Sequence, residues 1–112
     1  MTAAVLGRRA LNRALLERQL LLRRSRMPAL GAIERLVAVQ GQEPNWPYVG
    51  LWTRLEGFRH DDLASLLRDR GVVRGPLIRG TQHLVGAEDF LCVRPLIRPV
   101  LDRCRRGTEW RR

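Results

Sequence analysis

The sequence predicts a mainly α-helical fold with one short β-hairpin. Apolar residues recur at helical spacing in successive segments before residue 70 and again after residue 87. Between them, residues 72–85 switch to short β-rich pieces around a glycine turn. At 112 residues and 12.9 kDa the chain has the length of one domain with one modest core.

The first helix is expected over about Arg8 to Arg24, with Leu11, Leu15 and Leu22 on one face and arginines on the other. Pro28 suits the first turn of a second helix. There Leu30, Ile33, Leu36 and Val37 form the apolar stripe, whose next inward position is Gln40. Residues 40–48 hold two prolines and a glycine and read as a loop. Pro47 opens a third helix striped by Tyr48, Leu51, Trp52 and Leu55, which Gly57 ends. Asp61 and Asp62 stand where a helix dipole favours acids, at the start of a fourth helix that buries Leu63, Leu66 and Leu67. Gly71 falls at its C-cap position.

Val72-Val73, Leu77-Ile78 and His83-Leu84-Val85 flank Gly80-Thr81 as a hairpin, and Gly75-Pro76 keeps its first strand short or at an edge. Helix returns at Ala87. Pro95 and Pro99 are expected to break the remaining helical sequence into turns, before a tail, Trp110-Arg111-Arg112, that ends without a cap. Helices followed by a hairpin and more helix match a winged helix-turn-helix domain, with the hairpin as the wing.

Charge narrows the partners. The 21 basic residues are all arginine and outnumber 11 acids, a formal net charge of +10. Such an excess favours a polyanion, nucleic acid first and an anionic membrane surface second. Arginine adds bidentate contacts to phosphates and base edges. Cys92 and Cys104 lack the spacing of a zinc or redox motif and read as reduced thiols, so no metal site is expected. No apolar run approaches the roughly 18 residues of a membrane span, and a cytoplasmic setting is expected.

Gln40 and Gln42 are the first candidates for chemistry. Two residues apart, they oppose each other on a helix but share one side of an extended segment. Each carboxamide offers an acceptor and two donors, so the pair could hold and orient a water, or instead tie off backbone groups at a helix end. Neither titrates near neutrality, so such a pair serves only reactions with a good leaving group. His83 lies opposite Leu84 in the hairpin alternation and faces either a groove or a structural partner. His60 reads as a cap or solvent residue. Trp46 and Tyr48 form either a stacking platform or a staple for the third helix. Arg79-Gly80-Thr81 places a guanidinium and a hydroxyl at the hairpin tip, where they could clamp a phosphate or enter a minor groove.

The run from Leu36 through Gln40-Gly41-Gln42-Glu43-Pro44-Asn45 to Pro47-Tyr48-Val49-Gly50-Leu51-Trp52 resembles winged-helix DNA glycosylases of the AlkZ/YcaQ type. Leu77-Ile78-Arg79-Gly80-Thr81-Gln82-His83-Leu84-Val85 and Arg9-Ala10-Leu11-Asn12-Arg13 carry the same likeness. The resemblance implies excision of alkylated or crosslinked bases from double-stranded DNA without metal or cofactor. It maps a catalytic glutamine–aliphatic–glutamine motif onto Gln40 and Gln42. The implied DNA contacts are Arg79, Thr81, His83, Arg9 and Arg13. Two departures stand out. Gly41 replaces the aliphatic residue, and family members are longer, with tandem winged-helix units. Residues 1–112 are therefore expected to form one winged-helix domain, the N-terminal portion of such a protein, with further units or a second chain completing the site. Two alternatives remain: a non-enzymatic, regulator-like DNA-binding module, and an inactive fragment.

Overall fold

The computed structural model describes residues 3–109, with side chains as far as Arg106. Five α-helices and three short strands follow the order α1 (Arg8–Arg18), α2 (Ala29–Leu36), β1 (Val39–Gln40), α3 (Trp46–Arg54), α4 (His60–Arg68), β2 (Val72–Pro76), β3 (Gln82–Gly86) and α5 (Ala87–Glu109). A 3-10 turn, Ile78–Gly80, joins β2 to β3. The mainly helical fold with a small sheet is the expected class, and the order α2-β1-α3-α4-β2-β3 fits a winged helix-turn-helix arrangement.

The sheet is antiparallel in the order β1-β3-β2, so the hairpin gains a third strand at Val39–Gln40, where the sequence pattern predicts the passage from helix to loop. Its origin lies at Val37. With φ 71° and ψ −53°, this β-branched residue adopts a strained γ-turn that stops α2 one residue earlier. Residues 39 and 40 then run extended beside β3, pairing Val39 with Leu84 and Gln40 with His83. Gln40 is therefore not the next inward position of the α2 stripe. It is an exposed strand residue.

The core lies on the sheet face carrying Leu84 and Val72. Ala32 and Ile33 of α2, Leu51 and Leu55 at α3, and Leu63 of α4 pack there, each at most 3% exposed. Full burial of each of the large side chains among them is worth roughly 1.5–3 kcal/mol. Gly57, at φ 67°, supplies the left-handed turn between α3 and α4. At the end of α4 that conformation falls on Arg70, φ 59°, one residue ahead of the expected Gly71. The Gly71 N–H instead bonds to the Leu66 carbonyl at 2.9 Å.

Two helices depart from expectation. α1 ends at Arg18 instead of about Arg24, because Leu20 turns left-handed at φ 57° and buries its own side chain. The face of Leu11 and Leu15 stays open, 52% and 60% exposed. α5 is one 23-residue helix in which Pro95 and Pro99 sit without breaking it into turns. Both prolines are exposed and four residues apart, so the two missing N–H bonds fall on one solvent-facing side where water reaches the orphaned carbonyls. The Trp110–Arg112 tail lies outside the described residues.

Candidate functional site

Alternation along residues 40–42 builds the site. Gly41 points inward, where a Cβ would stand 2.6 Å from Leu84 Cδ1 and 3.4 Å from Pro47 Cγ. Its neighbours Gln40 and Gln42 therefore point outward together, and both are exposed. The extended-segment geometry, not the helical one, describes this pair.

The ladder explains how Gln42 is held. Gly41 and Gln82 stand opposite each other, and the Gly41 N–H donates to the Gln82 carbonyl at 2.8 Å. A regular antiparallel pair would return a bond from the Gln82 N–H to the Gly41 carbonyl. Here that N–H donates to Gln42 Oε1 at 3.1 Å. The Gly41 carbonyl turns away and accepts from Arg74 Nε at 2.9 Å, while the Gln42 carbonyl accepts from the same guanidinium at 3.2 Å. Gln42 thus keeps its NH2 group available. Gln40 makes no side-chain hydrogen bond among the described residues and offers both ends of its amide. The reading that both glutamines tie off a helix end does not describe them: Gln42 caps a strand, and Gln40 faces solvent.

His83 sits directly across the ladder from Gln40, in a pair whose side chains share one face of the sheet. The residue is 6% exposed, and its ring Nδ1 lies 2.8 Å from the Thr81 carbonyl. That contact needs a proton on Nδ1, which leaves Nε2 as an acceptor in the neutral ring. On the β2 side this face is roofed by α5, since a side chain at Gly75 would meet Phe90 at 3.0 Å. On the β1 side it is open at Gln40.

Arg79 is exposed on the turn after β2, with a left-handed φ of 56°. The turn is packed against α5, where Cys104 Sγ stands 3.1 Å from the Cβ position of Gly80, so it does not project as a free tip. The Thr81 hydroxyl donates to the Ile78 carbonyl at 3.1 Å. Gln40, Gln42, Thr81, His83 and Arg79 are thus brought to one end of the sheet. Arg9 and Arg13 are not. They lie exposed on α1, which among the described residues makes no hydrogen bond to the sheet.

Tyr48 staples α3 to α4 by stacking on His60, with ring centroids 4.3 Å apart and planes within 8°. Trp46 is 57% exposed and joins no stack among the described residues. Arg74 is the site residue that sequence reasoning missed. Only the strand register reveals it, since 32 residues separate it from Gln42.

Among the described residues no group of His, Cys, Asp or Glu side chains could hold a metal, and no helix is long and apolar enough to cross a membrane. The solved structure of Streptomyces sahachiroi DNA glycosylase AlkZ is similar to this chain, with a TM-score of 0.58 and 24% sequence identity, a likeness that speaks to the fold. It covers 63% of this chain and 19% of that one, so the shared region is about a fifth of that structure's length. No curated protein matches the chain. Residues 33–112, which include both glutamines, Arg74 and the whole sheet, match the DNA glycosylase AlkZ-like family, and the chain belongs to that family.

Proposed function

We propose that this chain is the winged-helix, DNA-binding part of a cytoplasmic glycosylase that hydrolyses the N-glycosidic bond of N7-alkylated purines in double-stranded DNA. The observation that carries this reading is the outward pairing of Gln40 and Gln42 on an extended segment, with Gly41 turned inward between them.

The chemistry suits two neutral amides. N7 alkylation makes the purine cationic, so it leaves without strong acid catalysis, and the sugar passes through a positively charged, oxocarbenium-like state. The protein's task is then to place a water. The Gln42 NH2 group, its oxygen already engaged by Gln82, donates to the water oxygen. Gln40 Oε1 accepts a hydrogen bond from that water, whose proton passes to bulk solvent once the new C–O bond has formed. Together they aim a lone pair at the sugar carbon. The amide carbonyl dipole also stabilises the developing positive charge.

In this reading the duplex lies over the β1 end of the sheet. Arg79 and Thr81 contact phosphates there, His83 backs Gln40 from its buried position, and Arg9 and Arg13 extend the basic track along α1. Asp61 and Asp62 at the start of α4 argue against that helix end approaching phosphates. Further winged-helix units or a second chain complete the clamp, and no metal or cofactor is required.

The test is release of N7-methylguanine from a methylated duplex, comparing this chain with its Gln40→Ala/Gln42→Ala variant. Release by the parent that falls at least 100-fold in the variant, with duplex affinity within twofold, supports the assignment. Salt-sensitive duplex binding by both proteins with no release by either favours a non-enzymatic DNA-binding module. Weak, non-saturating binding by both points to an inactive fragment.

A further inference from the structure

We infer that Arg74 is the positioning residue of the Gln40–Gln42 segment, holding by its guanidinium the two carbonyls that the strand ladder leaves unpaired. The inference rests on the reading of the glutamines as the water-holding pair, and it adds a residue that the family motif does not contain.

Three facts converge on Arg74. First, the ladder is interrupted at one point: the Gln82 N–H is spent on the Gln42 side chain, which leaves the Gly41 carbonyl without its usual partner. Second, one guanidinium takes that carbonyl and the next one along, through Nε at 2.9 Å and a terminal nitrogen at 3.2 Å. Third, the residue between the glutamines is glycine, which has the most backbone freedom to lose on ordering. Fixing two successive carbonyls fixes the planes of the 41–42 and 42–43 peptides, which flank the Gln42 Cα and set where its carboxamide points, while the 40–41 plane beside Gln40 is held by the Gly41 N–H on the Gln82 carbonyl. Arg74 stands on β2, opposite Leu84 of β3, so its side chain reaches across the central strand to do this. The planar fork of arginine spans two acceptors, whereas a lysine ammonium is a single point donor.

The Gln42 amide and Arg74 are therefore coupled. If Arg74 is removed, the Gly41 carbonyl is free to return to the Gln82 N–H. That would restore the regular ladder and release Gln42 from its anchored orientation.

Amide hydrogen exchange tests the structural half, with Arg74→Met, Arg74→Lys and a charge control, Arg103→Met, in which another exposed arginine is removed. Arg74→Met is expected to change exchange at Gly41 and Gln82 by about tenfold while Ile33 in the core keeps its protection. Unchanged exchange at Gly41 and Gln82 overturns the inference. So does a uniform loss that includes Ile33, which marks a general packing role. Single-turnover base release tests the functional half. Arg74→Met is expected to lower the rate by about tenfold or more with duplex affinity equal to that of Arg103→Met, and Arg74→Lys is expected to recover part of it. A rate equal to that of Arg103→Met overturns the inference. If the parent releases no base, the glycosylase reading falls, and exchange alone decides whether Arg74 positions the segment.

Discussion

Gly41 has no room for the methyl group that an alanine would bring. Its Cβ position lies 2.6 Å from Leu84 Cδ1, inside the core contact between sheet and α3. The aliphatic residue that the resemblance leads one to expect is thus replaced by a glycine–leucine pair in which Leu84 fills the space from across the ladder. Gly41→Ala is expected to cost about 1–3 kcal/mol by overpacking, read as a lower urea midpoint. Adding Leu84→Val should recover part of that loss, because residues in contact couple in a double-mutant cycle. Purely additive effects would show that the two side chains do not compete for the same volume. At this scale the spacing of Gln40 and Gln42 was legible in the sequence. Their direction was not, because it hangs on Val37, whose strained γ-turn ends the helix and begins a strand.

At the scale of elements, α4 and α5 carry opposite lessons. The acids expected at the start of α4 are there. The Asp62 carboxylate accepts from the Arg59 backbone N–H at 2.8 Å, and Asp61 bonds Arg68 at 2.9 Å. The Arg68 guanidinium holds the Asp61 carboxyl below the ordinary carboxylate range, through its hydrogen bond first and its charge second. A depressed folded-state value means that the stabilisation is complete above the unfolded-state value near 4 and is lost as pH falls through the lower, folded one. The stability difference between the parent and Asp61→Asn should therefore shrink to nothing on acidification below that window. A difference that persists at lower pH would rule out the charge as its source. The Asp61 side chain is largely exposed, so the effect is small. In α5 the sequence rule failed, because a proline pair spaced by one helical turn leaves its damage on a single exposed face. Proline in a helix interior costs roughly 3 kcal/mol relative to alanine. Pro95→Ala and Pro99→Ala should each raise the urea midpoint and leave the fold unchanged.

As a whole molecule the chain is open. Its radius of gyration is 16.9 Å, against roughly 13 Å for a compact domain of this length, because α1 stands off the three-helix and sheet core. On α5, Leu91 and Leu96 are 73% and 80% exposed, and on α1 the Leu11–Leu15 face is uncovered. Exposed apolar side chains of this kind bind hydrophobic dyes and promote association. The isolated chain is expected to enhance the fluorescence of an anilinonaphthalene sulfonate dye while native, and to sediment with a concentration-dependent mass. Leu91→Glu/Leu96→Glu should reduce both signals. A native protein silent to the dye would mean that these faces close over in solution.

The helical class, the hairpin, the arginine excess and the two glutamines two residues apart are legible in the amino-acid sequence alone. These follow from periodicity, residue chemistry and spacing, which are local properties. The winged order and the family were legible through the run around Gln40-Gly41-Gln42 and the block Leu77–Val85, and the family match of residues 33–112 shows that membership. It takes the folded chain to make Gln40 a strand residue beside His83, to let Gln42 replace a ladder bond, and to bring Arg74 to the carbonyl so released. Each of these depends on the register between strands more than 30 residues apart in sequence. Register is fixed by which faces the whole core buries, and no local pattern records it.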